Sequence, residues 1–197
     1  MATVIADVSM SLDGFIANLD DSVGPLFDWF QNGHVDVPSK DPRWQYKTTE
    51  ASAEHLREGF VKVKSLICGR TLFDYAHGWG GNHPAGVPLF VVTHSVPDGW
   101  PREDSPYSFV TDGVESAVKQ ASEVAGDDGW VAIASASIAQ QCLNAGLLDG
   151  LRISLVPVLF GEGVPLLANL TGRHTMLSDP IVREGKEVTH LHYTVLK

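Results

Sequence analysis

The sequence predicts an α/β domain: a central, mostly parallel sheet with helices on both faces and an antiparallel hairpin at its C-terminal end. Three observations predict it. Short β-branched runs recur along the chain, amphipathic helical stretches separate the later ones, and the C-terminal segment alternates on either side of a short turn. Strand, helix, strand in repeated order requires crossover connections, and these place helices on both sides of a parallel sheet.

The strands follow in order. Val4-Ile5-Ala6-Asp7-Val8 is the first, and residues 65–68, 88–92, 130–134 and 151–159 repeat its pattern. Residues 113–125 give the clearest helix: Val114, Ala117, Val118, Ala121 and Val124 share one face, and Asp112 with Glu115 makes a capping box. A second helix covers residues 137–145, with Ile138, Cys142 and Ala145 inward, Ser137 as its cap and Gly146 placed to end it. A helical segment through Leu72, Phe73 and Tyr75 follows Gly69-Arg70-Thr71, and a short one is expected at residues 27–31. The rest of residues 18–42 reads as a long loop, of the kind that is usually functional or mobile. Residues 181–184, a turn at Gly185-Lys186 and residues 188–196 form the hairpin.

With 197 residues, 44% of them apolar, the chain is expected to form one domain over 1–197 with a full core. Twenty-four acidic residues against 14 basic ones give a net charge of −10 without any basic run, which argues against a nucleic-acid partner. No stretch approaches the ~20 apolar residues that span a bilayer, and the N-terminus lacks the marks of a signal peptide, so no membrane partner and a cytoplasmic location are expected. Cys68 and Cys142 lie in apolar patterns outside any metal-type spacing and read as small core residues. His190 and His192 share one face of the last strand; without a third ligand they read as flanking a sheet surface, not as holding a metal. Gly161 and Gly163 begin no dinucleotide fingerprint, and no serine stands in a nucleophile elbow, so hydrolase chemistry has no support.

In a parallel sheet, ligands bind beyond the carboxyl ends of the strands. Those positions hold Ser11-Leu12-Asp13-Gly14, Gly69-Arg70-Thr71, Thr93-His94-Ser95, Ala134-Ser135-Ala136-Ser137 and Gly161-Glu162-Gly163. Gly69-Arg70-Thr71 opens a helical segment whose N–H groups suit an anion, with Arg70 adding a fixed charge; alternatively Arg70 pairs with a surface carboxylate. Thr93 and Ser95 either donate to a second phosphate or make turn hydrogen bonds before Pro97. Trp79, among Gly78, Gly80 and Gly81, sits in an aromatic loop that covers a ligand or shields an edge.

Four stretches, "MSLDGFIA", "ICGRTLFD", "PLFVVTH" and "AQQCLNAGLLDGLRISLVPVLFGEGVPLL", resemble the dihydrofolate reductase-like family, in particular the branch related to the reductase domain of the bacterial bifunctional riboflavin deaminase-reductase. The resemblance implies that family's three-layer fold, NADPH as cofactor, and hydride transfer to a heterocycle or an opened sugar. It places Asp13 and Gly14 at the active-site floor with Asp13 contacting substrate, and Glu162 as an acidic residue at the substrate end; the other reading of Asp13-Gly14 is an Asp-Gly turn and nothing more. Gly69, Arg70 and Thr71 correspond to adenosine-phosphate and pyrophosphate contacts, and Thr93, His94 and Ser95 to the adenosine end. Asp28 falls near a carboxylate that aids protonation of a pterin; the other reading is a solvated Asp on an amphipathic helix.

Two departures stand out. Relatives carry Gly-Gly, with an unusual cis bond in dihydrofolate reductases, where this chain has Ala134-Ser135 followed by Ala136-Ser137; the Ser135 and Ser137 hydroxyls offer a substitute for phosphate binding. Phe15 replaces a lysine favoured by the riboflavin-pathway reductases, which implies a flatter, less charged substrate and argues against the riboflavin enzyme itself. The expected function is an NADPH-dependent reductase of a small planar heterocycle such as a pterin or pyrimidine. The alternative is a non-catalytic ligand-binding or dimerising descendant. A homodimer is expected in either case, with residues 153–159 serving a subunit interface or the core.

Overall fold

Thr3 to Ser11 is short-chained and β-branched enough to fit between two neighbours, and in the structure, a computed structural model describing residues 1–172 and 174–197, it forms the central strand β1 (Thr3–Ser11). Then come β2 (Phe15–Ala17), a 3-10 helix (Gly24–Gln31), β3 (Val35–Pro38), β4 (Gln45–Thr48), α1 (Glu50–Lys62), β5 (Val63–Gly69), α2 (Arg70–Tyr75) and a second 3-10 segment (His77–Gly81). The second half contains β6 (Leu89–Val92), β7 (Tyr107–Val110), α3 (Val114–Ala125), β8 (Trp130–Ile133), α4 (Ala136–Asn144), β9 (Gly150–Val156), β10 (Val164–Pro165), β11 (Ile181–Gly185) and β12 (Val188–Thr194).

The main sheet runs β11-β12-β9-β1-β8-β5-β6-β7. From β9 to β7 every pairing is parallel, while β12 is antiparallel to both β9 and β11. The parallel sheet and the C-terminal hairpin are therefore as the sequence predicts. Because β9 lies inside the sheet, Ile153, Ser154 and Val156 are buried within the chain, whereas Leu159, beyond the strand, is exposed. Among the described residues, no helix is long and apolar enough to cross a membrane.

The two faces of the sheet differ. Under α3 and α4 lie Val4, Ala6, Ile67, Val131, Ile133 and Ile153, a wholly apolar layer. Burying side chains of this size stabilises by roughly 1.5–3 kcal/mol each. On the opposite face Ile5, Leu66, Cys68 and Val91 pack around Phe73, but the strip toward β9 and β12 carries buried Ser9, Arg152, Ser154 and His190. α1 covers this strip.

Helix ends differ from expectation in instructive ways. α3 starts one residue later than the capping box implies: its N-cap is Gly113, with no side-chain bond, and Ala125 rather than Val124 turns inward. α4 begins at Ala136 with Ser135, not Ser137, at its N-cap. Its end follows the sequence: Leu147 N–H reaches the Cys142 carbonyl and Gly146 N–H that of Leu143, a Schellman closure.

α1 and the β3–β4 hairpin were not legible as such. α1 carries a good cap, Thr49 accepting from Ser52 N–H, but the residues it turns toward the sheet include Ser52, His55 and Gly59 in place of an apolar stripe. Gly59 gives the guanidinium room: a Cβ at this position would stand 3.0 Å from Arg152 Nη1. The polar strip of the sheet thus selects a polar helix face above it.

Candidate functional site

One cleft of about 1350 Å3 runs along the carboxyl ends of β5, β6 and β8 and continues between β1, α1 and the 3-10 helix. The two halves of this cleft differ in chemistry.

The first half is built from the segments following three parallel strands. Gly69-Arg70-Thr71, Thr93-His94-Ser95 and residues 134–137 all line it. Strand order explains the convergence, since β8 lies between β1 and β5 and its exit is flanked by theirs. The Ser135 hydroxyl accepts a hydrogen bond from Gly69 N–H at 2.8 Å, tying β8 to β5 instead of capping α4. The first turn of α4 therefore keeps uncapped N–H groups at the cleft. The Ala134–Ser135 peptide is trans, unlike the Gly-Gly bond that the resemblance brings to mind. Arg70 Nε meets both Asp74 carboxylate oxygens, at 2.9 and 2.7 Å, and its Nη1 donates to the Ser95 carbonyl at 3.1 Å. Arg70 thus pairs with a surface carboxylate, the second of its two sequence readings, and also lines the cleft.

The second half has aromatic walls and a polar floor. Phe27, Trp29, Phe30, Trp44, Tyr46 and Trp79 stand around it. Asp7, Ser9, His55, Arg152 and Ser154 form the floor. Arg152, 2% exposed, donates from Nη1 to Asp7 Oδ2 at 2.7 Å and from Nη2 to the His55 carbonyl, with Glu58 at 4.0 Å. Asp7 Oδ1 accepts no hydrogen bond among the described residues. The Trp29 indole donates to Ser9 Oγ at 3.1 Å.

Below the floor the network continues. Ser154 Oγ lies 3.4 Å from His55 Nε2 and 2.9 Å from His190 Nδ1, and His190 Nε2 lies 2.8 Å from Ser52 Oγ. The two imidazoles stack with centroids 4.0 Å apart. Burial, and secondly the Arg152 charge, disfavour the imidazolium form: His190 is pushed down to about 4 and His55 is lowered further. His190 is therefore not on a sheet surface, as the sequence suggested, but 2% exposed beneath α1.

Trp79 reaches the cleft from a left-handed stretch, with φ of 48° at His77 and 49° at Trp79, uncommon for residues with a side chain. Three hydrogen bonds hold it: Trp79 N–H to Ala76 O at 2.8 Å, Tyr107 OH to Gly78 O at 2.9 Å and Arg43 Nη2 to Trp79 O at 3.1 Å.

The three carboxylates expected at the substrate are not among the residues that line the cleft. Asp13 is exposed and outside the cleft wall; its carboxylate accepts from Ser11 Oγ at 2.6 Å, from Gly161 N–H at 2.7 Å and from Phe160 N–H. The Ser11 hydroxyl foremost, then Gly161 N–H, holds its pKa below the usual carboxylate range. Asp13 staples the turn after β1 to the 160–161 turn, and Gly14, at φ 94°, lets that turn close. Glu162 is exposed and also outside the wall, as is Asp28, although Phe27 and Trp29 beside it line the cleft. Sequence reasoning overlooked Asp7 and Arg152. Each is a charged residue inside an otherwise apolar strand, and that was the available signal.

No family model matches the chain. Two Bacillus subtilis proteins, both uncharacterized, are similar: YyaP, 27% identical over 86% of this chain and 82% of its own length, and YwjB, 24% identical over 94% of each. Among solved structures, a protein named for riboflavin biosynthesis from Shewanella sp. PV-4 superposes over 100% of both chains with a TM-score of 0.67 at 21% identity. Dihydrofolate reductase from Enterococcus faecalis, solved with NADP(H), does so over 99% of this chain and 97% of its own, with a TM-score of 0.59 at 14% identity. The deaminase/5-amino-6-(5-phosphoribosylamino)uracil reductase of Thermotoga maritima matches 99% of this chain with 57% of its own, with a TM-score of 0.60 at 10% identity. The chain has the dihydrofolate reductase-like fold.

Proposed function

We propose that the protein is an NADPH-dependent reductase that transfers hydride to a small planar heterocycle. One observation carries the reading: the segments after β5, β6 and β8 open into the same cleft as an aromatic compartment with a polar floor. Solved relatives of this fold include a dihydrofolate reductase holding NADP(H) and a uracil reductase, which supports the same assignment.

The first half fits a dinucleotide. The uncapped N–H groups of α4 suit a pyrophosphate, helped by the positive end of the helix, and Arg70 with the 93–95 segment suits the adenosine end with its 2′-phosphate. When bound, the cofactor supplies the hydride. The chain's own residues orient the acceptor: Trp29, Phe30 and Trp79 provide flat apolar walls that exclude water, and Asp7 Oδ1 accepts from a ring N–H or amino group. Arg152 keeps Asp7 in place. Among the described residues, the cation on the floor of the aromatic compartment is Arg152, already engaged by Asp7 and the His55 carbonyl, so that compartment suits an unphosphorylated ring. The homodimer is retained as part of the proposal, and sedimentation equilibrium checks it.

Ser135 favours a second reading. Its hydroxyl closes the gap between β5 and β8, as in a descendant that no longer binds a dinucleotide. Titrating the protein with NADPH while following tryptophan fluorescence separates the two. The reductase reading expects saturation in the micromolar range, about −8 kcal/mol, and a larger loss of NADPH than of NADH affinity in Arg70→Ala. Absence of binding by the folded protein favours the non-catalytic reading.

A further inference from the structure

Arg70 approaches the adenosine end of the cleft already carrying an anion. Its Nε edge faces both oxygens of Asp74, one helical turn along α2, and Nη1 is held by the Ser95 carbonyl, which also accepts from Thr93 Oγ1 at 2.8 Å. A guanidinium binds a phosphate best through two parallel N–H groups. Here one such edge is occupied by a carboxylate and the other shared with a carbonyl; Nη2 makes no hydrogen bond among the described residues. Arg70 lines the cleft, whereas Asp74 lies just outside its wall and is half exposed.

We propose that Asp74 is a specificity-determining residue that opposes the 2′-phosphate of NADPH at Arg70 and so compresses the preference for NADPH over NADH. The inference rests on the nicotinamide reading above and adds the residue that sets the choice between the two dinucleotides. A 2′-phosphate must displace the Asp74 carboxylate from the guanidinium or accept a single bond from Nη2 with a second anion beside it. Either costs NADPH affinity. A 2′-hydroxyl makes no such demand, because it is neutral and does not compete for the guanidinium, so NADH is unaffected. The opposition is electrostatic and solvent-exposed, so it is modest and weakens with salt.

The test is a pair of titrations, NADPH and NADH, on the wild-type protein, Asp74→Asn, Arg70→Ala and the double variant, at low and high salt. Asp74→Asn is expected to tighten NADPH about fivefold, the scale of one exposed charge pair, and to leave NADH within twofold. The gain is expected to shrink at high salt and to vanish in the Arg70→Ala background. An unchanged NADPH/NADH ratio overturns the proposal, and so does a loss of NADPH affinity, which would mean that Asp74 pre-orients Arg70 for the phosphate. If folded wild-type protein and Asp74→Asn bind neither dinucleotide, the nicotinamide reading fails and this inference falls with it; binding of both with an unmoved ratio sinks the inference alone.

Discussion

The two faces of the central sheet solve the same packing problem differently. Beneath α3 and α4, β1, β8 and β9 present Val4, Ala6, Val131, Ile133, Leu151 and Ile153. On the other face β1 and β9 present Asp7, Ser9, Arg152 and Ser154, and α1 answers with Ser52, His55 and Gly59. A buried ion pair contributes little net stability compared with apolar residues of similar volume. A polar floor under an open cleft is therefore better explained by what the cleft holds than by what the fold requires.

That contrast can be broken from the polar side first. Arg152→Met should remove about 3–5 kcal/mol of stability, because it leaves Asp7 and the buried His55 carbonyl without their donor; urea denaturation checks it. Replacing both partners, Asp7→Leu with Arg152→Met, should recover most of that loss while abolishing ligand binding in the aromatic compartment. Recovery of stability with binding intact would make the pair structural. On the apolar face Ile133→Ala should cost about 3 kcal/mol by leaving a cavity, and it should leave dinucleotide affinity unchanged.

Acidity acts on the polar face through its buried histidines. His190 titrates at about 4 in the folded chain, lowered chiefly by burial, against roughly 6.5 when unfolded. Between these values the unfolded state binds the proton and the folded state does not, so protonation favours unfolding and stability falls as pH drops from 7 toward 4. His55, shifted in the same direction, adds to the slope. The His190 contribution at pH 5 is roughly 2 kcal/mol, and thermal melts of His190→Gln should show a flatter dependence on pH. The smallest effect is expected for Trp29→Phe, which loses the bond to Ser9 at about 1 kcal/mol.

The same contrast decides what was legible in the sequence. β1, β5, β6, β8 and β9 stand out because buried parallel strands are β-branched runs, and α3 stands out because its inward face is apolar. α1 does not, because hydrophobic periodicity fades where a helix packs on charges and hydroxyls. The post-strand segments at 69–71, 93–95 and 134–137 converge on the cleft because a parallel sheet brings strand exits together. Asp13, Glu162 and Asp28 came from resemblance rather than from a packing argument, and the local geometry turns them to other uses or to solvent. Asp7 and Arg152 were visible only as charges in apolar runs, and their meaning depends on β1 and β9 being neighbours, with Asp7 and Arg152 in register.

The central claim is that a nicotinamide dinucleotide lies across the exits of β5, β6 and β8. Backbone hydrogen exchange with and without saturating NADPH tests it most directly. The account predicts slowed exchange at residues 69–72, 93–95 and 134–138, with little change beneath α3 and α4. Protection confined to other segments, or none at a concentration that saturates fluorescence, would contradict it.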